Sequence, residues 1–252
     1  MTVSLAWNAL GSSFIDAPMG EVEAGDRVAV LGPNGAGKST FLRMLAGLGN
    51  PERGTVQLSG HPLSTLLPGD LARLRSYVEQ EPTLPDDLSV ATYVSLGGFT
   101  SSKGLGFETE SMRASIVGAL NRLRVGEKAD HLLASLSGGE RRLAVVARAF
   151  FQDAPLLFLD EPVTFLDLPN EAVLLDALRE ESEKGRIVVA VMHQIERALE
   201  FANKIVFVRS GQVSAPIRVA EVEETRLESV FGIPFSRIMV GEKSHFLRGR
   251  AQ

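Results

Sequence analysis

The stretch that most constrains this chain is Gly32-Pro33-Asn34-Gly35-Ala36-Gly37-Lys38-Ser39. An apolar run, Val28–Leu31, leads into it, and a helical pattern through Ser39–Leu45 follows. The octapeptide matches G-x-x-x-x-G-K-[ST], the phosphate-binding turn or P-loop. Glycines let the backbone curl so that successive amide groups point inward at an anion, and a helix N-terminus adds a favourable field. The triphosphate cradle therefore takes in Gly32, Pro33, Asn34, Gly35, Ala36, Gly37, Lys38, Ser39 and Thr40. Lys38 reaches the β- and γ-phosphates, and the Ser39 hydroxyl ligates Mg²⁺. A plain glycine-rich strand-to-helix turn would need neither the lysine nor the serine.

The rest of the chain is patterned to match. Thr55–Leu58, Leu156–Leu159, Ile187–Met192 and Ile205–Val208 are apolar runs of strand length, separated by helical patterns. That alternation predicts an α/β fold, a P-loop NTPase core with a mostly parallel sheet. Ser210-Gly211 ahead of Val213 predicts a hairpin near the sheet edge. From about Leu88 to Phe151 the pattern is helical, with Met112, Ile116, Val117, Leu120 and Leu123 on one face. The Gly- and Ser-rich stretch 97–106 is expected as a loop inside that helical region, and the tail after Ser214 is less periodic.

Composition removes several alternatives. The 252 residues contain no cysteine, so disulfides, thiolate metal sites and cysteine nucleophiles are excluded. The formal net charge is −5, which advertises no nucleic-acid surface. No apolar run approaches the roughly 20 residues of a membrane span, and no signal peptide is read at the N-terminus.

Leu156-Leu-Phe-Leu-Asp160-Glu161 ends a buried strand in two acids, at the edge where open α/β sheets bind ligands. Asp160 suits a Mg²⁺ shell, and Glu161 suits activation of a water attacking the γ-phosphate. Leu136-Ser137-Gly138-Gly139-Glu140, followed by an arginine pair, opens a helix and builds a second anion site from Ser137, Gly138 and Gly139.

With these three elements in order, the chain resembles the ATP-binding subunit of an ATP-binding-cassette (ABC) transporter over nearly its whole length. The resemblance implies one ATP-binding domain. It has an α/β core over 1–84 and 155–214 with an antiparallel β edge, an ABC-type helical subdomain over 85–154, and an extension over 215–252. It implies ATP and Mg²⁺ as cofactors and a head-to-tail dimer, in which Ser137, Gly138 and Gly139 of one copy contact the γ-phosphate held by the other. It also assigns Gln80 to Mg²⁺ and the attacking water, Asp167 to the dimer interface and His193 to the γ-phosphate. His61, His131 and His245 are read as surface residues. Phe165 stands where the family usually has a small residue, and Gln194 where an acid is usual. Phe14 and, farther off, Trp7 are the candidates for stacking the adenine.

Leu96-Gly-Gly-Phe-Thr and Val230-Phe-Gly-Ile-Pro-Phe235 are similar to segments of siderophore, haem and cobalamin importers. The resemblance thus implies an ATPase at the cytoplasmic face of the membrane, bound to polytopic permease subunits and served indirectly by a substrate-binding protein. The alternative is a soluble ABC ATPase on a cytosolic assembly scaffold. DNA-repair ATPases of this class would need a coiled coil or zinc module between Gln80 and Ser137, and the sequence has no heptad run there.

Overall fold

A computed structural model describes residues 3–100, 110–240 and 243–249. The chain divides into two compact units, Met1–Thr65 with Val189–Gln252, and Leu66–Val188. The first unit begins with β1 (Ser4–Gly11), β2 (Asp16–Glu23), β3 (Arg27–Leu31), α1 (Lys38–Leu45), β4 (Arg53–Leu58) and β5 (His61–Pro62). The second holds α2 (Pro68–Leu74), β6 (Arg75–Val78), α3 (Val90–Ser95), α4 (Glu110–Arg122), α5 (Gly138–Gln152), β7 (Leu156–Asp160) and α6 (Leu168–Glu183). The chain returns to the first unit within β8 (Ile187–Val191). It then forms α7 (Ile195–Phe201), β9 (Lys204–Arg209), β10 (Gln212–Val213), β11 (Ile217–Arg218), α8 (Glu224–Phe231), β12 (Phe235–Val240) and β13 (Lys243–Arg248).

In the first unit the strands run in the order β5-β4-β1-β2-β10-β9-β3. The four-strand arm is antiparallel, and β3 lies parallel to β9 with Val28 opposite Lys204 and Leu31 opposite Phe207. Within the arm Thr55–Leu58 of β4 was legible as a strand, whereas β1 and β2 were not, because the alternation of β1 is broken. A bulge at Ala9 (φ 47°) shifts the β1–β4 register between Asn8 and Gly11. On the other side of β1, Trp7 faces Gly20. A Cβ at Gly20 would lie 2.2 Å from the indole, so glycine is what lets the ring lie across β2. The indole meets Phe41 of α1 edge-on, centroids 5.5 Å apart, tying the arm to the helix behind the phosphate turn.

The expected hairpin is present as β9–β10, but it is not near an edge. β10 lies between β2 and β9, and β9 between β10 and β3. The reason is that the N-terminal arm extends the sheet beyond β10. The tail, without a clear period in the sequence, forms a strand pair, β12–β13, preceded by α8.

In the second unit β6 and β7 are parallel, and every residue of β7 is buried. The predicted apolar face of α4 is the packed one, with Ile116, Leu120 and Leu123 fully buried. The helices are held by a polar anchor as well. The buried Glu181 of α6 takes ion pairs from Arg122 of α4 and from Arg186, and a third from Lys184 at 2.9 Å. Burial pushes the Glu181 carboxyl up, but the three cations outweigh it and leave it below the usual range. Leu96–Thr100, expected as loop, is a 3₁₀ turn, and Gly97 is required there because a Cβ would meet the Arg148 carbonyl at 2.5 Å. The remainder of that expected loop, 101–106, lies outside the described residues.

Candidate functional site

In the first unit, β3 delivers the chain into the phosphate turn and α1 receives it. Three glycines there are demanded by the local geometry. A Cβ at Gly32 would lie 1.9 Å from the Val208 carbonyl, Gly35 has φ +72° and Gly37 has φ +103°. Only glycine adopts these angles at low cost. Gly37 is the N-cap of α1, no side chain caps that helix, and its first turn contains no acid. This leaves a positive helix end dressed with backbone amides. Lys38 is buried, and its ammonium donates to the carbonyls of Gly32 and Pro33, both at 3.0 Å. The cation is thus held over the turn by the turn's own backbone. Ser39 is half-buried and Thr40 exposed in the first turn of the same helix.

Phe14 and Trp7 separate cleanly. Trp7 is 3% exposed and committed to the core, so it is not available to a nucleotide. Phe14 is 51% exposed, and its ring lies against the turn, since a Cβ at Gly37 would meet Phe14 Cε1 at 2.9 Å. His193 follows β8 and is exposed. The Met192 amide donates to the Val30 carbonyl at 3.2 Å, so His193 emerges at the same sheet end as Gly32. The other three histidines are exposed, as expected.

In the second unit, Asp160 closes β7 and Glu161 follows with φ 49°, a left-handed angle that costs a non-glycine residue energy. Both acids are nearly buried. Glu161 Oε2 accepts from Gln80 Nε2 at 2.8 Å and from the Thr164 hydroxyl at 3.3 Å. Gln80 and Glu161, named from separate sequence motifs, are therefore hydrogen-bonded partners.

A residue that sequence reading missed holds this arrangement. The buried Arg142 donates to the carbonyls of Gln80 (3.0 Å), Asp160 (2.7 Å), Glu161 (2.9 Å) and Pro162 (3.1 Å), and also to that of Glu79. Burial lowers its pKa to about 10, against the opposing pull of Asp160 and Glu161. One guanidinium thus fixes both loops that carry Gln80 and Glu161. The signal in the sequence was the arginine pair after Glu140, which looks like surface charge until α5 turns one member inward.

Ser137 caps α5 with a reciprocal box. Its hydroxyl accepts from the Glu140 amide at 3.2 Å, and the Glu140 carboxylate accepts from the Ser137 amide at 2.9 Å. The Ser137 amide, then its hydroxyl, hold the Glu140 carboxyl below its usual range. Gly138 and Gly139 differ from the glycines of the phosphate turn. A Cβ at Gly138 would meet nothing within 4 Å, and one at Gly139 would touch Leu166 at an ordinary 3.6 Å. Asp167 caps α6 by accepting from the Asn170 amide at 3.1 Å. Phe165 disturbs no packing, because its ring is turned outward at 71% exposure on a residue with φ +68°.

Among the described residues no group of three or more His, Cys, Asp or Glu side chains is placed to hold a metal by itself. Ser39 in the first unit and, separately, Asp160 and Gln80 in the second each offer a hard oxygen donor of the kind Mg²⁺ takes.

Residues 16–164 match the sequence profile of the ABC transporter family. The chain is 35% identical over 205 residues to the hemin import ATP-binding protein of Streptomyces coelicolor, covering 81% of this chain and 72% of that one. It is 33% identical over 238 residues to the vitamin B12 import ATP-binding protein of Vibrio atlanticus, covering 91% and 93%. A metal-chelate type ABC transporter, solved in an inward-facing conformation, superposes with a TM-score of 0.83 at 25% identity over 98% of both chains.

Proposed function

Because this chain belongs to the ABC transporter ATP-binding family, we propose that it is the ATP-hydrolysing subunit of an importer for a metal chelate of the haem, cobalamin or siderophore type. It works as a head-to-tail pair docked on polytopic permease subunits at the cytoplasmic face of the membrane. A substrate-binding protein delivers the cargo. No described helix is long and apolar enough to cross a membrane.

The residues act as follows. The amides from Gly32 to Ser39 and the Lys38 ammonium bind the β- and γ-phosphates. Ser39, Asp160 and Gln80 hold Mg²⁺, which neutralises charge on the phosphate oxygens when bound. Glu161 orients and deprotonates the attacking water, and His193 donates to the γ-phosphate. Ser137, Gly138 and Gly139 of the second copy close over the same phosphate. ATP binding favours the closed pair and hydrolysis releases it, which is a population shift driven by ligand.

The observation that carries this reading is the Gln80–Glu161 hydrogen bond at 2.8 Å, clamped from behind by Arg142. It joins the residue assigned to Mg²⁺ and the attacking water to the residue assigned to activate that water. The test is Glu161→Gln in the full chain, followed by size-exclusion chromatography with ATP and capture from detergent-solubilised membranes. The expected result is an ATP-stabilised dimer, turnover lowered by at least about a hundredfold, and co-purification of a stoichiometric polytopic protein. Retention in the soluble fraction with a soluble partner would replace the transporter by a scaffold ATPase.

A further inference from the structure

We infer that the C-terminal end of α8 supplies one wall of the nucleobase subsite, with Phe231 and Phe14 as its two aromatic surfaces. The inference deepens the ATP-binding reading above and rests on it. A cleft of about 330 Å³ opens beside the phosphate turn, lined by Phe14, Pro33–Ala36, Arg209 and Val230–Gly232. That volume lies within the roughly 300–1,000 Å³ of small-molecule sites. Its floor is the backbone of the phosphate turn itself. A triphosphate whose phosphates take the amides of that turn leaves its base outside it, and this cleft opens beside Pro33–Ala36 of the same turn.

The walls are held in place. The Ser12 hydroxyl accepts from the amides of Phe14 (3.3 Å) and Ile15 (3.1 Å), and the Asp16 amide donates to the Gly211 carbonyl at 2.8 Å. The Gly211 amide in turn donates to the Ala36 carbonyl at 2.9 Å. A Cβ at Gly211 would lie 1.8 Å from the Phe14 carbonyl, so the β9–β10 turn, the Phe14 segment and the phosphate turn are locked together. On the other side, Arg209 donates to the Ser229 carbonyl in the last turn of α8. Gly232 at φ +71° ends that helix one residue after Phe231, and Phe231 meets Phe235 edge-on at 6.0 Å. Phe231 is half-buried and Phe14 half-exposed, so both rings keep surface for a ligand. Aromatic faces stack planar bases of any sequence, and Arg209 at the rim adds a cation.

The test is calorimetric titration of the full chain in Mg²⁺-free buffer with ATP, CTP and inorganic tripolyphosphate. The variants are Phe14→Ala, Phe231→Leu, Phe231→Tyr and the double substitution Phe14→Ala with Phe231→Leu. Phe14→Ala and Phe231→Leu are each expected to weaken ATP about five- to tenfold while leaving tripolyphosphate unchanged. Phe231→Tyr should restore ATP affinity, and the preference for ATP over CTP should collapse in the double variant. Undiminished ATP affinity in Phe231→Leu would overturn the inference, leaving the base on Phe14 alone. So would an equal loss for ATP and tripolyphosphate in that variant, since Phe231 would then only support the turn. Failure of the unaltered chain to bind either ATP or tripolyphosphate is a different result, and it brings down the ATP-binding reading with its subsite.

Discussion

The two glycine-rich helix starts of this protein look alike in sequence and are built on opposite terms. At α1 the glycines are required by the chain itself, through a 1.9 Å approach at Gly32 and left-handed angles at Gly35 and Gly37. That helix is uncapped and acid-free, and a buried lysine is held over it by backbone carbonyls. At α5 the helix is closed by its own Ser137–Glu140 box, and neither Gly138 nor Gly139 is forced by packing. The first turn is therefore a site made by folding, whereas under the proposed function the second is a surface completed by another copy.

This contrast can be broken most directly at Gly138. Gly138→Ala is expected to lower ATP hydrolysis by about a hundredfold, the cost of losing a positioned donor surface at a transition state. Its melting temperature should hold or rise, because alanine is the better helix residue by up to about 1 kcal/mol. A fall in both together would mean that Gly138 is structural after all. Arg142→Met comes next. It strands buried carbonyls at about 1–3 kcal/mol each if none finds water. Unfolding by denaturant should show the loss, and kcat should fall more than KM rises because Gln80 and Glu161 lose their shared clamp. Unchanged kcat in a folded variant would reduce Arg142 to a packing element.

Gly32→Ala is the mirror of the first experiment. It should destabilise the chain by about 1–3 kcal/mol through overpacking against the Val208 carbonyl, and nucleotide affinity should fall by more than the loss of folded fraction, because the phosphate turn itself must shift. The smallest effect belongs to the capping box. The Glu140 carboxyl is held low by the Ser137 amide and hydroxyl. Its folded pKa is below its unfolded one, so the stability it adds is fully present above about pH 4.3 and is lost as pH falls through the folded value. Glu140→Gln should remove that acid-dependent part of the unfolding curve, leaving the neutral-pH curve shifted by about 0.5–1 kcal/mol. An acid profile identical to that of the unaltered chain would assign the dependence to other carboxylates.

Legibility in the sequence followed the range of the physics involved. The strand before the phosphate turn, the turn, α1, β7 with its two acids and the start of α5 rest on local pattern and backbone chemistry, and all were readable. Gln80 was placed by resemblance, and its physical partners, Glu161 at its side chain and Arg142 at its carbonyl, come only from the structure. The β1–β2 arm was missed because Trp7 needs Gly20 on the facing strand, a pairing invisible along one strand. Phe14 was the nearer stacking candidate in sequence and Trp7 the farther, and packing separated them by drawing the indole into the core and leaving the phenyl exposed.

By itself, the amino-acid sequence determined a phosphate-binding motif at Gly32–Thr40 and a pair of acids at Asp160 and Glu161. Such sites depend on backbone angles, glycine and residue type within a few positions of one another. Tertiary structure decided the rest. It turned Arg142 from a surface charge into a clamp on two loops, brought Phe231 from the far end of the chain to the phosphate turn, and left Gly138 open. Each of those outcomes depends on which distant backbone or side chain arrives alongside, and burial and hydrogen-bond satisfaction settle that only when the whole chain is packed.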